Sequence, residues 1–277
     1  MIPPGAVGNS PIRPLASPPS STTCGGSGSI GAQKVLNAPS DGYMVFQGSP
    51  NELILAPLAI SAIKYKPESF RQIHRIALAP MAIFVRPGFP AKTADELAAH
   101  AAKVAKEGKP MTYASVGVGS FYHLLGAKMS KDLGVEMTHV PYKGGADAQR
   151  DLFTDLVDIF ITPYGPAQVE LVKQGKMRAL AVLTPARQRL MPEVPSTTES
   201  KALKTFTAEI GTGYFVKRDT PARSRPAKPG DTQLRAGLFA MGQETSPLQT
   251  LAEADQAYKA EISAYQAIAK SINLQAQ

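Results

Sequence analysis

Between residues 111 and 184 the chain alternates strand-like segments with helical ones, and this alternation limits the possible folds more than any other feature. The strand-like segments are MTYAS, MTHVPY, LVDIFIT and MRALAVLT, and the helical patterns between them are SFYHLLGAKMSKDLG, ADAQRDLFTD and GPAQVELVKQG. Strands that alternate with helices over short connections are typical of an α/β domain with a largely parallel sheet. We therefore predict an α/β fold.

The sequence indicates further elements on both sides of this region. Ahead of it, IGAQKVLNAPSDGY predicts a helix and a turn, YMVFQGS a buried strand, IHRIALAPMAIFVRPG another strand, and AKTADELAAHAAKVAKEG a helix. Thr93 and Glu96 have the spacing of a capping box at the start of that last helix. After the region, EIGTGYFVKRDTPA predicts a strand and TLAEADQAYKAEISAYQAIAKSI a long helix. Residues 1–30 and 220–235 are expected to be irregular, because both stretches are rich in proline.

The composition suits a chain with a sizeable apolar core and few reactive side chains. Of the 277 residues, 43% are hydrophobic, and no apolar run is long enough to span a bilayer. The lone cysteine, Cys24, excludes an intrachain disulfide and a multi-cysteine metal site. Its serine- and glycine-rich surroundings are typical of a loop and do not suggest a catalytic thiol. We expect neither a cofactor nor a metal.

The formal net charge of +8 favours anionic partners, which include small acids, nucleic acids and membrane surfaces. The basic residues are scattered without an aromatic–basic stripe, so a nucleic-acid partner is not expected. The effector domain of a transcription regulator would need a helix-turn-helix ahead of it, and residues 1–40 contain no such pattern. The opening residues lack the pattern of a signal peptide, so the chain as written is expected in the cytoplasm.

The stretch SVGVGS, residues 115–120, joins the strand MTYAS to the helix after it. Gly117 and Gly119 allow close approach to the backbone, and Ser115 and Ser120 could add hydroxyl donors to the free N–H groups of the helix start. The stretch predicts either a cradle for a carboxylate or phosphate, or a tight turn that needs glycine for its geometry alone. It matches neither the P-loop, nor the dinucleotide fingerprint G-x-G-x-x-G, nor the hydrolase pattern G-x-S-x-G.

Ser120 and His123 lie three residues apart and so share one helix face. Such a pair could mimic the nucleophile and base of a serine-dependent hydrolase. No acidic partner stands at a recognisable spacing, so a hydrolase remains a secondary alternative and local packing of His123 is the favoured interpretation.

A second junction between a strand and a helix occurs in HVPYKGGADAQRDL. Gly144 and Gly145 open the helix there, after Tyr142 and Lys143. The ring of Tyr142 could lie against a ligand, whereas Lys143 is interpreted as a solvated charge.

Together, the blocks ASVGVGSFYHL, VPYKGGADAQRDL, LVDIFI and GKMRALAVLTPARQRLMPEVPSTTE resemble the Bug-type receptors of tripartite tricarboxylate transporters, in order and spacing through residues 30–217. The resemblance implies a two-lobed, periplasmic-binding-protein-like (type II) α/β fold that closes a cleft over a small organic acid. Residues 1–107 with 213–277 would form lobe 1, and residues 108–212 would form lobe 2. The resemblance also implies a monomeric, periplasmic, non-enzymatic protein that delivers its carboxylate to the membrane permease subunits of the transporter.

The resemblance further implies which residues line the cleft. Lobe 2 would contribute the first junction, the second junction and the end of the strand LVDIFIT, and lobe 1 would contribute the end of YMVFQGS and the loop PPGAVGNS. The implied ligand-binding residues are Ser115, Gly117, Gly119, Ser120, Tyr142, Gly144, Thr162, Pro163, Gly48, Ser49, Asn9 and Ser10, with Gly5 and Gly8 beside the last two.

Two segments depart from the family's pattern. Residues 11–24 and 221–236 are rich in proline where the family has helices, and each proline inside a helix would cost about 3 kcal/mol. The family's first strand also has no counterpart here. We therefore expect an incomplete first lobe, and we hypothesise a frameshifted or truncated gene copy, or an error in the sequence. A non-functional remnant of such a receptor is thus the alternative to a working one.

Overall fold

The computed structural model describes residues 28–221, 239, 244–245, 249–272 and 274. The predictions made for Gly5, Gly8, Asn9, Ser10 and Cys24 concern residues outside this part, as do those for the irregular segments up to residue 27 and from 222 to 235. Within the described residues, no helix is both long and apolar enough to cross a bilayer.

The six predicted helices are present in the predicted order, and one short helix, Ala56–Ala59, is additional. They are α1 (Ser29–Asn37), α2 (Ala56–Ala59), α3 (Ala94–Lys106), α4 (Phe121–Asp132), α5 (Gly145–Phe153), α6 (Pro166–Lys173) and α7 (Leu251–Ser271). A π-helical turn, Asn51–Leu55, leads directly into α2. At the start of α3, Thr93 Oγ1 accepts from Glu96 N at 3.1 Å, and the Glu96 carboxylate accepts from Lys92 N at 2.7 Å. The expected cap is therefore present, although the glutamate reaches one residue beyond Thr93.

The described strands join in one mixed sheet. They are β1 (Phe46–Gly48), β2 (Phe70–Val85), β3 (Thr112–Ser115), β4 (Thr138–Pro141), β5 (Ile159–Pro163), β6 (Arg178–Val182), β7 (Glu209–Lys217) and β8 (Glu244–Thr245). The order is β1-β7-β2-β5-β3-β4, with β6 and β8 also paired to β2. We call β1, β7, β8 and residues 70–80 of β2 the first half-sheet, and β3 to β6 with residues 81–85 of β2 the second half-sheet.

The α/β prediction is confirmed, but the expectation of a largely parallel sheet is wrong. β3 is parallel to β4 and β5, whereas β2 is antiparallel to β5, β6 and β7. The four strands of the alternating region do run in one direction. β2 enters from the first half-sheet and inserts between β5 and β6 in the opposite direction, and β1 pairs antiparallel with β7.

The predicted strand YMVFQGS is shorter than expected. β1 covers only Phe46–Gly48, and the side chains of Tyr43 and Met44 ahead of it are 83% and 38% exposed. The prediction of a buried strand over the whole segment is therefore wrong, because its first residues follow the turn at Gly42 into solvent.

The apolar core lies on both faces of β2. Met81, Ile83 and Val85 belong to the larger core cluster, whereas Ala82 and Phe84 belong to the smaller one. Successive side chains of a strand point to opposite faces of its sheet, so one strand contributes to both clusters. Each large apolar side chain buried in this way stabilises the fold by ~1.5–3 kcal/mol.

The closing helix α7 packs against β2 through an apolar stripe and an ion pair. Its buried side chains include Tyr258, Ile262 and Tyr265, which keep the helical spacing predicted from the sequence. Arg75 of β2 donates a hydrogen bond to the carboxylate of Glu261 on the same face. Burial raises the pKa of Glu261, and the nearby guanidinium opposes that shift.

Candidate functional site

The glycine-serine loop forms a tight connection whose backbone only glycine adopts readily. Gly117 has φ of 124° and Gly119 has φ of 75°, both in the region that disfavours residues with a Cβ. Ser115 is fully buried, and its Oγ accepts from Gly117 N at 3.2 Å. Ser120 Oγ donates to Gly117 O at 2.7 Å and accepts from His123 N at 3.3 Å. Both serine hydroxyls therefore hold the loop in shape.

Two backbone N–H groups in the glycine-serine loop and the first turn of α4 have no hydrogen-bond acceptor among the described residues. The N–H groups of Gly117, Gly119, Ser120, Phe121 and His123 all have partners. Among the described residues, the N–H groups of Val118 and Tyr122 have none. They flank the start of α4, where the helix dipole favours a negative charge. The connection can therefore offer two backbone donors to an anion.

The loop touches the segment that follows β1. Asn51 Oδ1 accepts from Phe121 N at 2.8 Å, so a residue of the turn after β1 caps the start of α4. A Cβ added to Gly119 would lie 1.7 Å from the Cβ of Ala59. Glycine is therefore required at position 119 for two reasons: the positive φ and the close contact with α2.

A carboxylate of the protein occupies the donors at the end of β1. Ser49 N and Ser49 Oγ both donate to Glu52 Oε2 at 2.7 Å, and Asn51 N donates to Ser49 Oγ at 3.2 Å. Ser49 is buried, and Gly48 beside it pairs with Gly213 of β7. The N–H and hydroxyl donors of Ser49 therefore already have an acceptor, the Glu52 carboxylate, ahead of the π-helical turn.

Glu52 influences two tyrosine side chains, Tyr65 and Tyr122. Tyr65 OH donates to Glu52 O at 2.5 Å, and burial, followed by the charge of Glu52, raises the Tyr65 pKa above its usual range. Tyr122 belongs to α4, and its pKa is also raised by burial first and by the charge of Glu52 second. The charge of Glu52 therefore contributes to the raised pKa of one tyrosine ahead of β2 and of one tyrosine in α4.

Three aromatic rings stack beneath the loop. The rings of His123 and His139 lie 4.0 Å apart, and the ring of Tyr113 lies 5.0 Å from that of His139. Burial lowers the pKa of both histidines, and for His139, where the neighbouring His123 also contributes, the pKa falls to about 4. His123 Nδ1 accepts from Gly119 N at 3.1 Å, and His139 Nε2 lies 2.6 Å from Ser115 Oγ. Neutral imidazoles thus support the loop from below.

The same contacts bear on the hydrolase alternative. The hydroxyl of Ser120 donates to Gly117 O, and the Nδ1 of His123 is occupied by Gly119 N. The two side chains consequently do not form the hydrogen-bonded nucleophile–base pair that acyl transfer would require.

The second junction is tied to the first. Tyr142 N donates to Ser115 O at 2.9 Å, and the Tyr142 pKa is raised to about 12, mainly by burial. Gly144 is the N-cap of α5, with open space beside its Cα. Lys143 is exposed, in agreement with its interpretation as a solvated charge.

Thr162 and Pro163 lie at the end of β5, the neighbour of β3. They pair with Ala82 and Met81 of β2, and Thr162 is 8% exposed. The predicted residues of the second half-sheet therefore lie along the ends of adjacent strands. The segment after β1 contacts the glycine-serine loop at the end of β3.

Two open cavities lie away from these residues. One of about 480 Å³ is lined by Tyr65, Lys217 and Arg218 among others, and one of about 310 Å³ lies between Tyr113 and the end of α7. Neither is lined by a residue predicted to bind the ligand. Within the described part of the predicted site, the segment after β1 lies in contact with the glycine-serine loop.

The sequence did not single out Asn51, Glu52, Ala59 or His139. A signal for Glu52 was present, because Ser49-Pro50-Asn51-Glu52 has the S-x-x-E spacing of a capping box. The contacts of Asn51 with Phe121 and of Ala59 with Gly119 join positions far apart in the chain, and no local pattern indicates them.

Comparison with known proteins identifies the family. The family model described as the tripartite tricarboxylate transporter family receptor matches residues 21–224. A UPF0065 protein of Bordetella pertussis is 30% identical over 192 residues, which are 69% of this chain and 58% of that protein. This chain thus spans less than two thirds of the length of that relative.

Solved structures show the same fold. The periplasmic binding protein BugD is 26% identical with a TM-score of 0.72, over 91% of this chain and 86% of that one. An R. palustris protein solved with adipate is 26% identical with a TM-score of 0.77, over 91% of this chain and 85% of that one. The two-lobed binding-protein fold predicted from the resemblance is confirmed. The chain belongs to the tripartite tricarboxylate transporter receptor family.

Proposed function

We propose that this chain is a solute receptor that binds a small organic carboxylate between two lobes and delivers it to the membrane permease of a tripartite transporter. Residues 1–107 with 213–277 would form one lobe and residues 108–212 the other. The protein would act as a monomer in the periplasm, without catalysis. Family membership supports this proposal, as does the adipate bound by the R. palustris relative.

The observation that carries the proposal is the pair of free N–H groups, Val118 and Tyr122, at the start of α4. A carboxylate there would accept from backbone donors that the glycine conformations hold in place, with the helix dipole adding to the attraction. Tyr142 and Gly144 adjoin this position, because Tyr142 N is bonded to Ser115 O.

Ligand entry would require the segment after β1 to separate from the glycine-serine loop. Asn51 accepts from Phe121 N and Ala59 lies against Gly119, so the segment after β1 contacts the loop that carries the two donors. A lobed receptor that alternates between separated and closed states provides such access. Ser49, predicted to reach the ligand from the other lobe, would bind it only where Glu52 releases the Ser49 donors.

Thermal unfolding in the presence of small carboxylic acids tests the proposal. The midpoint should rise with the logarithm of acid concentration for at least one mono-, di- or tricarboxylate, and it should not rise for the matched primary amide. A cooperative transition that no acid shifts would overturn the receptor function and favour a non-binding remnant. Loss of any cooperative transition would favour the hypothesis of a damaged first lobe.

A further inference from the structure

His123 holds the peptide unit that follows Val118, one of the two donors proposed for the ligand carboxylate. Its Nδ1 accepts a hydrogen bond from Gly119 N at 3.1 Å, so the first turn of α4 reaches back to the glycine-serine loop. An imidazole nitrogen accepts a hydrogen bond only while it carries no proton. The contact therefore requires a neutral His123 with its hydrogen on Nε2.

The peptide unit before Val118 is held by both serines of the loop. Gly117 O accepts from Ser115 Oγ at 3.0 Å, from Ser120 Oγ at 2.7 Å and from Ser120 N at 3.2 Å. In a trans peptide the C=O and the next N–H point in opposite directions, so these bonds turn Val118 N–H away from the serines. The direction of this donor thus depends on two successive peptide units, and His123 restrains the second of them.

The titratable side chains that stack with the His123 ring come from two strands. Between ring centroids, His139 of β4 lies 4.0 Å away and Tyr113 of β3 lies 6.4 Å away. β5, which also packs against α4, carries no titratable side chain. From the segment after β1, the charge of Glu52 acts on Tyr122.

The charged side chains of α4 lie more than one turn beyond His123, and each has a partner. Lys128 pairs with Asp132, and Lys131 donates to a carbonyl oxygen in the last turn of α7. Burial lowers the pKa of His123, and the charge of His123 adds to burial in lowering the pKa of His139. A proton on His123 therefore opposes a second one on His139.

We propose that His123 is a positioning residue of the carboxylate site and makes ligand binding depend on pH, so that the receptor holds its acid at neutral pH and releases it in an acidic medium. The inference rests on the proposed function. A proton on Nδ1 would set two N–H groups against each other and deprive Gly119 N of its acceptor. The ligand would then lose the fixed direction of Val118 N–H. Because burial holds the pKa of His123 below its usual 6.5, affinity should fall below pH 6.5.

The charge of a protonated His123 would have the opposite effect on the ligand. An imidazolium ion attracts a nearby carboxylate and would tighten binding in acid. The sign of the pH dependence therefore separates a positioning role from an electrostatic one.

Calorimetry of the full chain with adipate, glutarate and succinate, between about pH 7.5 and about pH 5, tests the inference. Kd should rise by up to about tenfold per pH unit below the pKa of His123. Part of the rise belongs to the acids themselves, because their carboxylates are protonated near the lower end of this range.

Two substitutions of His123 isolate the part that belongs to the protein. In His123→Asn the side-chain oxygen can accept from Gly119 N and does not titrate. This variant should bind within about threefold of the full chain at neutral pH and should lose less affinity in acid. His123→Phe keeps a ring in the stack without an acceptor, so it should bind about tenfold more weakly at neutral pH.

His100→Gln is the matched control, because it removes the same titratable group from α3, where the ring packs on Phe89. Its pH profile of Kd should equal that of the full chain. Under a purely structural role, the His123 variants would change the unfolding temperature but not this profile. Agreement within about twofold between the profiles of His123→Asn and the full chain, or a Kd that falls in acid, would overturn the inference while leaving the receptor function intact.

Nuclear magnetic resonance titration of the imidazole protons of the full chain provides a second measurement that needs no variant to fold. Whichever of the three acids binds should lower the pKa of one histidine, since it binds the neutral form preferentially. Histidine pKa values that stay unchanged or rise on binding would overturn the inference. If none of the three acids binds the full chain, the proposed function fails and the inference fails with it.

Discussion

Asn51 Oδ1 accepts a hydrogen bond from Phe121 N at 2.8 Å, across 70 positions of the chain. The donor is one of the N–H groups that a helix start leaves unpaired, and the acceptor comes from the turn after β1. A single amide thus caps α4 and fastens the segment after β1 to the glycine-serine loop.

Replacing Asn51 with alanine should lower the free energy of unfolding by about 1 kcal/mol, because the start of α4 loses its cap from outside the helix. Urea denaturation measures the change. Gln33→Ala is a suitable control, since Gln33 Nε2 donates to Asn37 Oδ1 within one exposed helix face. Its effect should stay within about 0.5 kcal/mol. If both variants lower the free energy of unfolding equally, the hydrogen bond from Phe121 N to Asn51 does not contribute to stability.

Replacing Gly119 with alanine should destabilise the chain by ~2–4 kcal/mol, because backbone strain at positive φ adds to overpacking against Ala59. Gly134→Ala separates the two causes: its φ is 65°, but no atom lies within 4 Å of an added Cβ. It should cost only ~1–2 kcal/mol. Adding Ala59→Gly should restore part of the stability of Gly119→Ala but none of that of Gly134→Ala. Thermal unfolding of these four variants and of Ala59→Gly alone completes the two cycles.

Acid should weaken the fold through the histidine stack. The pKa of His139 is lowered from its usual 6.5 to about 4, so the unfolded chain binds the proton more readily than the folded one between these values. The resulting contribution to stability is complete above pH 6.5 and is lost as pH falls towards 4. His123, whose pKa is also lowered, acts in the same direction.

Urea midpoints measured between neutral pH and the onset of acid unfolding test this expectation. His139→Gln should reduce the fall in midpoint with acid, because glutamine can bond to Ser115 without titrating. His100→Gln leaves the stack intact and should retain the full dependence. An unchanged pH dependence in His139→Gln would contradict the role of the stack.

The ion pair between Arg75 and Glu261 should show strong coupling. Removal of either charge alone, by Arg75→Met or Glu261→Gln, should cost ~3 kcal/mol, because the remaining charge stays largely buried without its partner. The double variant Arg75→Met with Glu261→Gln should be more stable than the sum of the two single losses predicts. Denaturant titration measures the coupling, and simple additivity of the two losses would show that the pair is solvated.

Much of the fold was predictable from local pattern. The strands and helices between residues 111 and 184 follow hydrophobic periodicity, and the caps of α3 and α7 follow the spacing of threonine and glutamate. The direction of β2 was not predictable in this way, because strand pairing depends on partners distant in sequence. Its apolar residues are buried on both faces whether the neighbouring strands are parallel or antiparallel, so composition gives no sign of direction.

The candidate site was predictable in part. The glycines at 117 and 119 indicated a special backbone, and their positive φ values agree with that interpretation. The sequence did not show that the hydroxyls of Ser115 and Ser120 bond within the loop, or that Asn51 covers it. Competition between a ligand and the protein's own acceptors depends on three-dimensional neighbours, which periodicity and spacing do not encode.

The pairing of β2 also determines how the two half-sheets are joined. Its pairing with β7 ends at Pro80, and its pairing with β5 begins at Met81. Among the described strands, none is paired on both sides of this junction, and proline has no N–H with which to add a rung. The change of partner strands along β2 therefore falls at a single peptide bond, and the torsion angles beside that bond set the angle between the two half-sheets.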